Sequence, residues 1–327
     1  MRKSIEGDKM KVSVLGCGRW GSFIGWYLAG HHHEVCQWGR AGRSFEQLKS
    51  GKNEYVELDP RINLTSDLKA ALSFGDVIVI SISAQSLRSF MAEVIKTAKV
   101  GDKIFVLCMK GIEVETGKRL SEVLKDCGIN GDKIAVWVGP GHIQAFTQGS
   151  PNCMVIDSEN PKLVKTLCDE FRSELIRFYY GDDIIGSEIG AAAKNVMGIA
   201  AGMLDGGNLS TLKGPLMSRG AREVSRLIKA MGGNELSAYG LCHLGDYETT
   251  LFSEYSNNRA FGEKFIKKQP FIKLAEGAAT AKAMKMLGEK YGVDLPITCA
   301  VYAILYENKN PAEEFKKVFS RSTRKEF

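Results

Sequence analysis

The sequence lacks the features that would assign it to a specialised class of protein. Its eight cysteines are scattered, with no C-x-x-C pair and no spacing typical of a metal site. No aromatic-interleaved basic motif of a nucleic-acid module accompanies the net charge of +6. No Pro/Gly/Ser-rich linker, internal repeat or low-complexity segment is present. We therefore expect a globular protein without a metal or a nucleic-acid partner, and the mild basic excess suits a small phosphorylated ligand.

Signals for export or membrane insertion are also missing. Residues 1–9 are polar and charged, so no secretory signal precedes the first apolar run. The small apolar stretch Glu188–Leu204 is too short, and too polar at its centre, to span a bilayer. Cys36, Cys108 and Cys299 lie in apolar runs and are predicted to be buried thiols of a reducing compartment. We expect a cytoplasmic protein. The run His31–His33 is expected to be an exposed loop.

Short apolar runs alternate with amphipathic helical patterns in the first half of the chain. This alternation is typical of a parallel sheet with helices on both faces. The predicted strands are Lys11–Leu15, Glu34–Trp38, Val77–Ile82, Ile104–Met109, Ile134–Val138, Cys153–Asp157 and Leu175–Tyr179, with a helix at Pro161–Glu174 before the last of them.

The pattern changes near residue 186, after which only helical segments are recognisable. They are Glu188–Leu204, Lys213–Met231, Asn234–Tyr239, Thr280–Tyr291 and Pro296–Tyr306. The predicted fold class is α/β, with a Rossmann-type dinucleotide-binding domain over residues 1–185 and an all-helical substrate domain over residues 186–327.

A glycine-rich motif joins the first predicted strand to the first predicted helix. Gly16, Gly18 and Gly21 form the pattern GxGxxG in the strand–turn–helix context that the motif requires. In such a motif the glycines permit a tight turn, a close approach to a pyrophosphate and close helix–strand packing, and the helix N-terminus favours phosphate. A glycine-rich turn without a ligand is the alternative.

The second predicted strand ends without the carboxylate that commonly holds the ribose of NAD. It reads Gln37-Trp38-Gly39-Arg40. An arginine there can accept a 2′-phosphate, so NADPH is permitted. If Arg40 merely stacks on the adenine, either cofactor would bind.

Two lysines stand out from their surroundings. Lys194 lies with Asn195 inside the small apolar stretch, where desolvation would lower a lysine pKa and make it a usable proton acceptor. Lys110 follows a buried strand and is thereby delivered to the sheet edge at which such folds bind ligands. The alternatives are a lysine that extends to the surface and a solvated loop lysine. Polar side chains in Gly245–Thr250 and Ser256–Arg259 could orient a lysine and bind a phosphate.

Taken in order, these blocks resemble the bacterial-type NAD(P)-dependent glycerol-3-phosphate dehydrogenases, from about Lys11 to Leu305. The matching segments are Gly16–Gly21, Lys110–Glu113, Gly139-Pro140, Gly190–Val196, Arg219-Gly220, Gly232-Gly233, Gly245-Asp246 with Thr250, and Glu276-Gly277 with Thr280-Ala281.

The resemblance implies roles for individual residues. Lys194 would accept the proton of the C2 hydroxyl, Lys110 would contact substrate and polarise the carbonyl, and Asp246 would complete the catalytic set. The other substrate-binding residues would be Gly139, Asn195, Thr250, Ser256, Asn258 and Arg259. The cofactor-binding residues would be Gly16, Gly18, Arg19, Trp20, Gly21, Arg40 and Glu276.

The implied reaction interconverts dihydroxyacetone phosphate and sn-glycerol 3-phosphate by hydride transfer with NAD or NADP, for glycerophospholipid synthesis. The active site would lie between the two domains. A small-molecule phosphate is the expected partner, with no membrane span; a homodimer is left open.

The chain departs from the family pattern at two places. Gly141 stands where the family has Ser or Thr, and Asn257 stands where it has the first arginine of Ser-Arg-Asn-Arg. These departures keep two alternatives open. One is a related dehydrogenase that acts on another small phosphorylated or carboxylated ketone, and the other is a nucleotide-binding protein that has lost turnover.

Overall fold

The computed structural model describes residues 9–322 and 325–326. The expectation about a leader in residues 1–9 therefore falls largely outside the described residues. The described chain divides into two compact units. The first holds residues 9–109 and 120–187, and the second holds residues 110–119 with 188–322 and 325–326. The domain limits predicted from sequence, 1–185 and 186–327, stay a prediction.

The first unit contains one eight-stranded sheet with the order β3-β2-β1-β4-β5-β6-β7-β8. Its strands are β1 Lys11–Leu15, β2 Glu34–Trp38, β3 Asn63–Thr65, β4 Val77–Ile80, β5 Ile104–Leu107, β6 Ile134–Val138, β7 Asn152–Ser158 and β8 Ile176–Tyr180. All neighbouring strands are parallel except β6 and β7, which are antiparallel. The predicted parallel sheet therefore contains one antiparallel pair, where a connection with a single five-residue helix joins the two strands.

The strands form where β-branched and aliphatic residues run together. Each residue of β4 and of β6 is buried, as expected for strands covered on both faces. The short strand β3 was missed, since its sequence Asn-Leu-Thr has no apolar run. The helices of this unit are α1 Arg19–Gly30, α2 Arg43–Lys49, α3 Leu68–Phe74, α4 Leu87–Thr97, α5 Leu120–Asp126, α6 Ile143–Thr147 and α7 Pro161–Phe171.

The second unit is helical. Its helices are α8 Ile184–Gly206, of which residues 188–206 belong to this unit, α9 Lys213–Ala230, α10 Asn257–Ile266, α11 Glu276–Tyr291, α12 Pro296–Tyr306 and α13 Pro311–Phe319. The sequence did not reveal α10 and α13, which have mixed polar composition. The segment Asn234–Tyr239 forms a 3₁₀ helix over Glu235–Tyr239. The predicted fold class, a Rossmann-type α/β part followed by an all-helical part, is confirmed.

Two local predictions were wrong. Cys299 is exposed, because it lies on the outer face of α12, whereas Cys36 and Cys108 are buried as predicted. His33 is buried, unlike the exposed loop expected for His31–His33. Its Nδ1 accepts from the Met10 amide at 3.2 Å, and its Nε2 donates to the Glu170 carbonyl at 3.0 Å. Within residues 9–322 and 325–326, no helix has the length and apolar character needed to cross a membrane.

Candidate active site

Lys110, Lys194 and Asp246 come together in the second unit. The Asp246 Oδ2 atom lies 2.8 Å from Lys110 Nζ and 2.9 Å from Lys194 Nζ. The Asp246 side chain is 1% exposed, and those of Lys194 and Lys110 are 10% and 14% exposed. One carboxylate therefore serves two ammonium groups in a nearly dry environment, which leaves the three side chains with a net positive charge.

Lys194 is placed by the long helix α8. The helix is built from small apolar residues, and those flanking Lys194 are fully or almost fully buried. Burial lowers the pKa of the Lys194 ammonium to about 8, and Asp246 opposes part of that shift. Lys194 Nζ also donates to the Thr250 hydroxyl at 2.8 Å. The lysine is thus held in a fixed direction with a pKa that suits proton exchange near neutral pH.

Asp246 remains ionised although it is buried. Burial by itself raises the pKa of its carboxyl, but Lys110 and Lys194 outweigh burial and hold the pKa below its usual range. The carboxylate also accepts from the Thr249 hydroxyl through Oδ1. Asp246 ends a 3₁₀ turn over Leu244–Asp246, and a π-helical turn over Glu248–Phe252 follows it.

The two predicted asparagines form a chain of hydrogen bonds around the lysines. Asn195 Nδ2 donates to the Lys110 carbonyl at 3.1 Å. Asn258 Nδ2 donates to Asn195 Oδ1 at 3.0 Å, and Asn258 Oδ1 accepts from the Gly277 amide at 3.0 Å. These contacts connect the Lys110 segment, α8, α10 and the start of α11, where Glu276 is the first residue. Both amides therefore support the backbone that carries Lys110.

A buried ion pair that the sequence did not reveal anchors the same segment. Arg119 Nη1 lies 2.6 Å from Glu188 Oε2, and the two side chains are 7% and 6% exposed. The segment from Lys110 to Arg119 folds back on itself through a bridge between Ile112 and Arg119. The pair thus holds the Lys110 segment against α8. The partners are 69 residues apart in the chain, so no local signal could have paired them.

Ser256 and Arg259, which were predicted to bind substrate, lie at the start of α10. The Ser256 hydroxyl caps the helix by accepting from the Arg259 amide at 3.3 Å. Arg259 Nη1 lies 2.6 Å from Asp205 Oδ2 and 3.2 Å from Glu263 Oε2, and its Nε donates to the Ser253 carbonyl at 3.1 Å. Among the described residues, nothing accepts a hydrogen bond from Nη2 of this guanidinium.

The glycine-rich loop of the first unit has the predicted strand–turn–helix geometry. Gly16 adopts a φ of +131°, and a Cβ there would lie 2.1 Å from the Ser81 carbonyl oxygen. A Cβ on Gly21 would lie 2.1 Å from the Gly16 carbonyl oxygen. At Gly18 a Cβ would meet nothing within 4 Å. Two glycines are therefore needed by the fold itself, whereas the third leaves open space at the N-terminus of α1, the place at which the sequence predicts a pyrophosphate.

Among the other predicted cofactor residues, Arg19, Trp20 and Arg40 lie in the first unit, whereas Glu276 lies in the second unit as the first residue of α11. The Arg19 guanidinium lies 5.8 Å from the centre of the Tyr55 ring, and burial lowers its pKa. Trp20 packs edge-on against Phe23. Arg40 is exposed and lies 2.5 Å from Glu93 Oε2. Gly139, which was predicted to bind substrate, follows β6 in the first unit with a φ of +131°.

The sequence predicted no metal site. Within the described residues, no group of three or more His, Cys, Asp or Glu side chains is arranged to hold a metal ion. The positive groups near Asp246 are the two lysines.

Comparison with known proteins identifies the family of the chain. Residues 11–164 match the N-terminus, and residues 183–316 the C-terminus, of the NAD-dependent glycerol-3-phosphate dehydrogenase family. The chain is 33% identical to the NAD(P)+ glycerol-3-phosphate dehydrogenase of Chlorobium phaeobacteroides (strain BS1), covering 97% of this chain and 99% of that protein. It is 34% identical to the enzyme of that name from Thermoanaerobacter sp. (strain X514), with the same coverage.

A solved structure gives the same result. The glycerol-3-phosphate dehydrogenase of Coxiella burnetii superposes with a TM-score of 0.87 at 25% identity, covering 96% of this chain and 99% of that chain. The oxidoreductase class and the NAD or NADP cofactor predicted from the sequence are confirmed. The chain belongs to the NAD-dependent glycerol-3-phosphate dehydrogenase family.

Proposed function

We propose that this chain interconverts dihydroxyacetone phosphate and sn-glycerol 3-phosphate, with Lys194 as the group that exchanges the C2 hydroxyl proton. The observation that carries the proposal is the buried set of Lys110, Asp246 and Lys194. A lysine with a pKa of about 8 is partly neutral near neutral pH and can accept the proton of the alcohol. In the reverse direction its ammonium form returns that proton to the oxygen.

Lys110 supplies fixed positive charge to the same site. Its ammonium is held by Asp246, and its backbone carbonyl is held by Asn195. Charge positioned in advance stabilises an oxygen that becomes negative during the reaction, at little cost in reorganisation. We assign Lys110 to polarising the C2 carbonyl, and we assign Asp246 to orienting both lysines.

The nicotinamide cofactor supplies or accepts the hydride when bound. Gly16, Gly18 and Gly21 would hold its pyrophosphate, supported by the N-terminus of α1. Gln37 of β2 supports this loop, because its Nε2 donates to the Gly16 carbonyl at 2.5 Å. Arg40 would meet the adenosine end and bears on the choice between NADH and NADPH.

The substrate phosphate needs a cation, and Arg259 is the proposed one. Its guanidinium keeps Nη2 for a ligand while Asp205 and Glu263 hold Nη1. Arg259→Ala is expected to raise KM for dihydroxyacetone phosphate strongly with a smaller change in kcat. Asn257→Arg, which adds a cation next to this site, should leave activity similar or modestly higher. An unchanged KM in Arg259→Ala would place the phosphate elsewhere.

Oxidation of NADH and of NADPH, measured with dihydroxyacetone phosphate as the acceptor, tests the proposed function directly. A panel of small phosphorylated and carboxylated ketones should be reduced far more slowly. Faster turnover of another ketone would replace the substrate assignment. Cofactor binding without reduction of any ketone would favour a protein that has lost turnover.

The location and assembly of the chain stay predictions. Its eight cysteines are all free, which supports a reducing compartment and hence a cytoplasmic location. Light scattering on the purified protein would test the homodimer.

A further inference from the structure

A buried pair of aromatic side chains lies beside the lysine–aspartate cluster and takes no direct part in the proposed chemistry. His243 and Tyr247 are both 0% exposed. The Tyr247 hydroxyl lies 2.7 Å from His243 Nε2, and His243 Nδ1 lies 2.8 Å from the Gly190 carbonyl oxygen. The two residues flank Asp246 in the chain.

The direction of these hydrogen bonds follows from the chemistry of the groups. A carbonyl oxygen only accepts, so His243 Nδ1 carries the hydrogen. Burial lowers the pKa of His243 to about 4, and the neutral ring then offers Nε2 as an acceptor. Burial also raises the pKa of Tyr247, which therefore keeps its proton and donates to Nε2. The pair is thus a neutral chain of hydrogen bonds that runs from the Tyr247 hydroxyl through the His243 ring to the Gly190 carbonyl.

This chain of hydrogen bonds connects the backbone that carries Lys194 to the backbone that carries its partners. Gly190 lies one helical turn before Lys194 on α8. The Asp246 amide donates to the His243 carbonyl at 3.0 Å, and the Thr250 amide donates to the Tyr247 carbonyl at 3.1 Å. A shift of either aromatic residue would therefore move the groups that Lys194 contacts.

We propose that His243 and Tyr247 are positioning residues that hold Asp246 and Thr250 against Lys194 and so set the protonation balance of the proton acceptor. The proposal rests on the role assigned to Lys194 above. Burial is the largest influence on the Lys194 pKa and outweighs the opposing effect of Asp246, so water that enters a loosened cluster should raise this pKa by more than the weakened contact with Asp246 lowers it.

Several charged groups face this region and must be separated in the test. Lys194 interacts with Asp246 and Lys110, and His243 interacts with Asp246 and Lys194. Tyr247 interacts with Glu223, whose own pKa burial raises to about 7. The variant Glu223→Gln is therefore included as a control, and the pKa of Lys194 should be unchanged in it.

The decisive variant is Tyr247→Phe, which removes one hydroxyl from the pair. Trace labelling of lysine amines at a series of pH values, read by peptide mass spectrometry, gives the Lys194 pKa without any turnover. We expect an upward shift of about 0.5 to 1 pH unit, comparable with the loss of one buried hydrogen bond. The pH profile of kcat/KM for the alcohol should shift equally, and kcat should fall about threefold to tenfold.

Tyr27→Phe is the matched control. The Tyr27 hydroxyl is also buried and donates to the Phe171 carbonyl at 2.5 Å, within the first unit. This variant also loses a buried hydroxyl, but it should leave the Lys194 pKa unchanged. An equal shift in Tyr27→Phe, or either no shift or a downward shift in Tyr247→Phe, would overturn the proposal.

A second variant keeps the test informative if Tyr247→Phe folds poorly. His243→Asn retains a donor for the Gly190 carbonyl but withdraws the acceptor from Tyr247, so the same upward shift is expected. The double variant should shift the pKa no further than either single one, since the residues act as a unit. If the two pKa shifts add in the double variant, His243 and Tyr247 do not act as a unit and the proposal is overturned. If Lys194 of the wild-type protein titrates near 8 but the protein reduces no ketone phosphate, the proposed function is contradicted and the positioning role is not.

Discussion

The glycine-rich loop and the lysine–aspartate cluster use opposite means to make a ligand site. In the loop, backbone amides at the start of a helix are the groups that would bind the cofactor, and the three glycines have no side chain that would keep it away. In the cluster, three charged side chains from distant parts of the sequence meet, and two of them are nearly excluded from water. The loop is a local structure, whereas the cluster depends on the packing of a whole helical unit.

The difference has energetic consequences. The loop can form wherever the residues that closely approach other backbone have no Cβ atom. The cluster must keep charges in a dry environment, and each of them is costly there unless it is paired. A substitution in the loop should therefore affect either stability or ligand binding, depending on which glycine is replaced. Substitutions in the cluster should affect charge balance and catalysis together.

The largest effect is expected from Lys194→Ala. Loss of the proton acceptor should lower kcat by ~10²–10⁴-fold while the cofactor still binds, because the loop lies in the other unit. Steady-state kinetics and cofactor titration check both parts. Lys103→Ala is the control, since Lys103 is partly buried and bonded to the Gly75 carbonyl without contacting the cluster. A near wild-type kcat in Lys194→Ala would show that Lys194 is not the proton acceptor.

Lys110→Ala should also have severely impaired activity, with cofactor binding intact.

Arg119→Ala tests how strongly the cluster depends on its supports. The variant leaves the Glu188 carboxylate buried without its cation, which typically costs about 3–5 kcal/mol of unfolding free energy. Activity should fall as well, because the Lys110 segment loses its anchor. Arg88→Ala breaks a half-exposed pair with Asp126 at 2.9 Å and should cost about 0–1 kcal/mol. If denaturant unfolding shows that both variants lose the same unfolding free energy, the buried Arg119 pair contributes no more to stability than the half-exposed one.

Substitutions of Gly16 and Gly18 should separate the two roles of glycine in the loop. Gly16→Ala places a Cβ 2.1 Å from the Ser81 carbonyl oxygen in a left-handed conformation and should cost about 2 kcal/mol or more of stability. Gly18→Ala meets no protein atom and should change stability by less than about 0.5 kcal/mol. It should nevertheless weaken NADH binding about tenfold or more, measured by titration calorimetry. Unchanged binding in Gly18→Ala would move the pyrophosphate away from this loop.

Arg40→Asp is expected to have the narrowest effect, which is confined to the choice between the two cofactors. It should weaken NADPH binding by about 1.5–3 kcal/mol more than NADH binding, because a charge-assisted contact with the 2′-phosphate is lost. Arg40 is exposed and paired with Glu93, so the difference should shrink at high salt. Arg43→Asp serves as the neighbouring control. Equal weakening of both cofactors would mean that Arg40 only stacks on the adenine.

Some residues were easy to predict because their signals are local. The bounds of β1, β2 and β6 agree with the predicted ones residue for residue, since apolar runs bounded by turn residues define buried strands. The glycine loop could be located because its spacing and its strand–helix context lie within a dozen residues. Lys194 could be singled out because a cation inside a small apolar helix contradicts the ordinary preference of lysine for water.

Other features became visible only in the folded chain. The antiparallel pairing of β7 with β6 depends on the path of the connection, and α10 lacks the apolar periodicity that would predict it. Arg119 and Glu188 carry no motif, yet they form a buried ion pair beside the Lys110 segment. His243 and Tyr247 carry none either, and they form the buried hydrogen-bonded pair to which we assign a positioning role.

The sequence by itself thus determined the class of fold, and it led to the proposals for the cofactor loop and the reactive lysines. Each of these follows from residue type and local spacing, because periodicity and glycine stereochemistry act over a few residues. The tertiary structure decided that one carboxylate, Asp246, serves both lysines, and that burial lowers the Lys194 pKa to about 8. Those properties arise from distances between segments far apart in the chain and from the exclusion of water, and neither quantity can be read from local spacing.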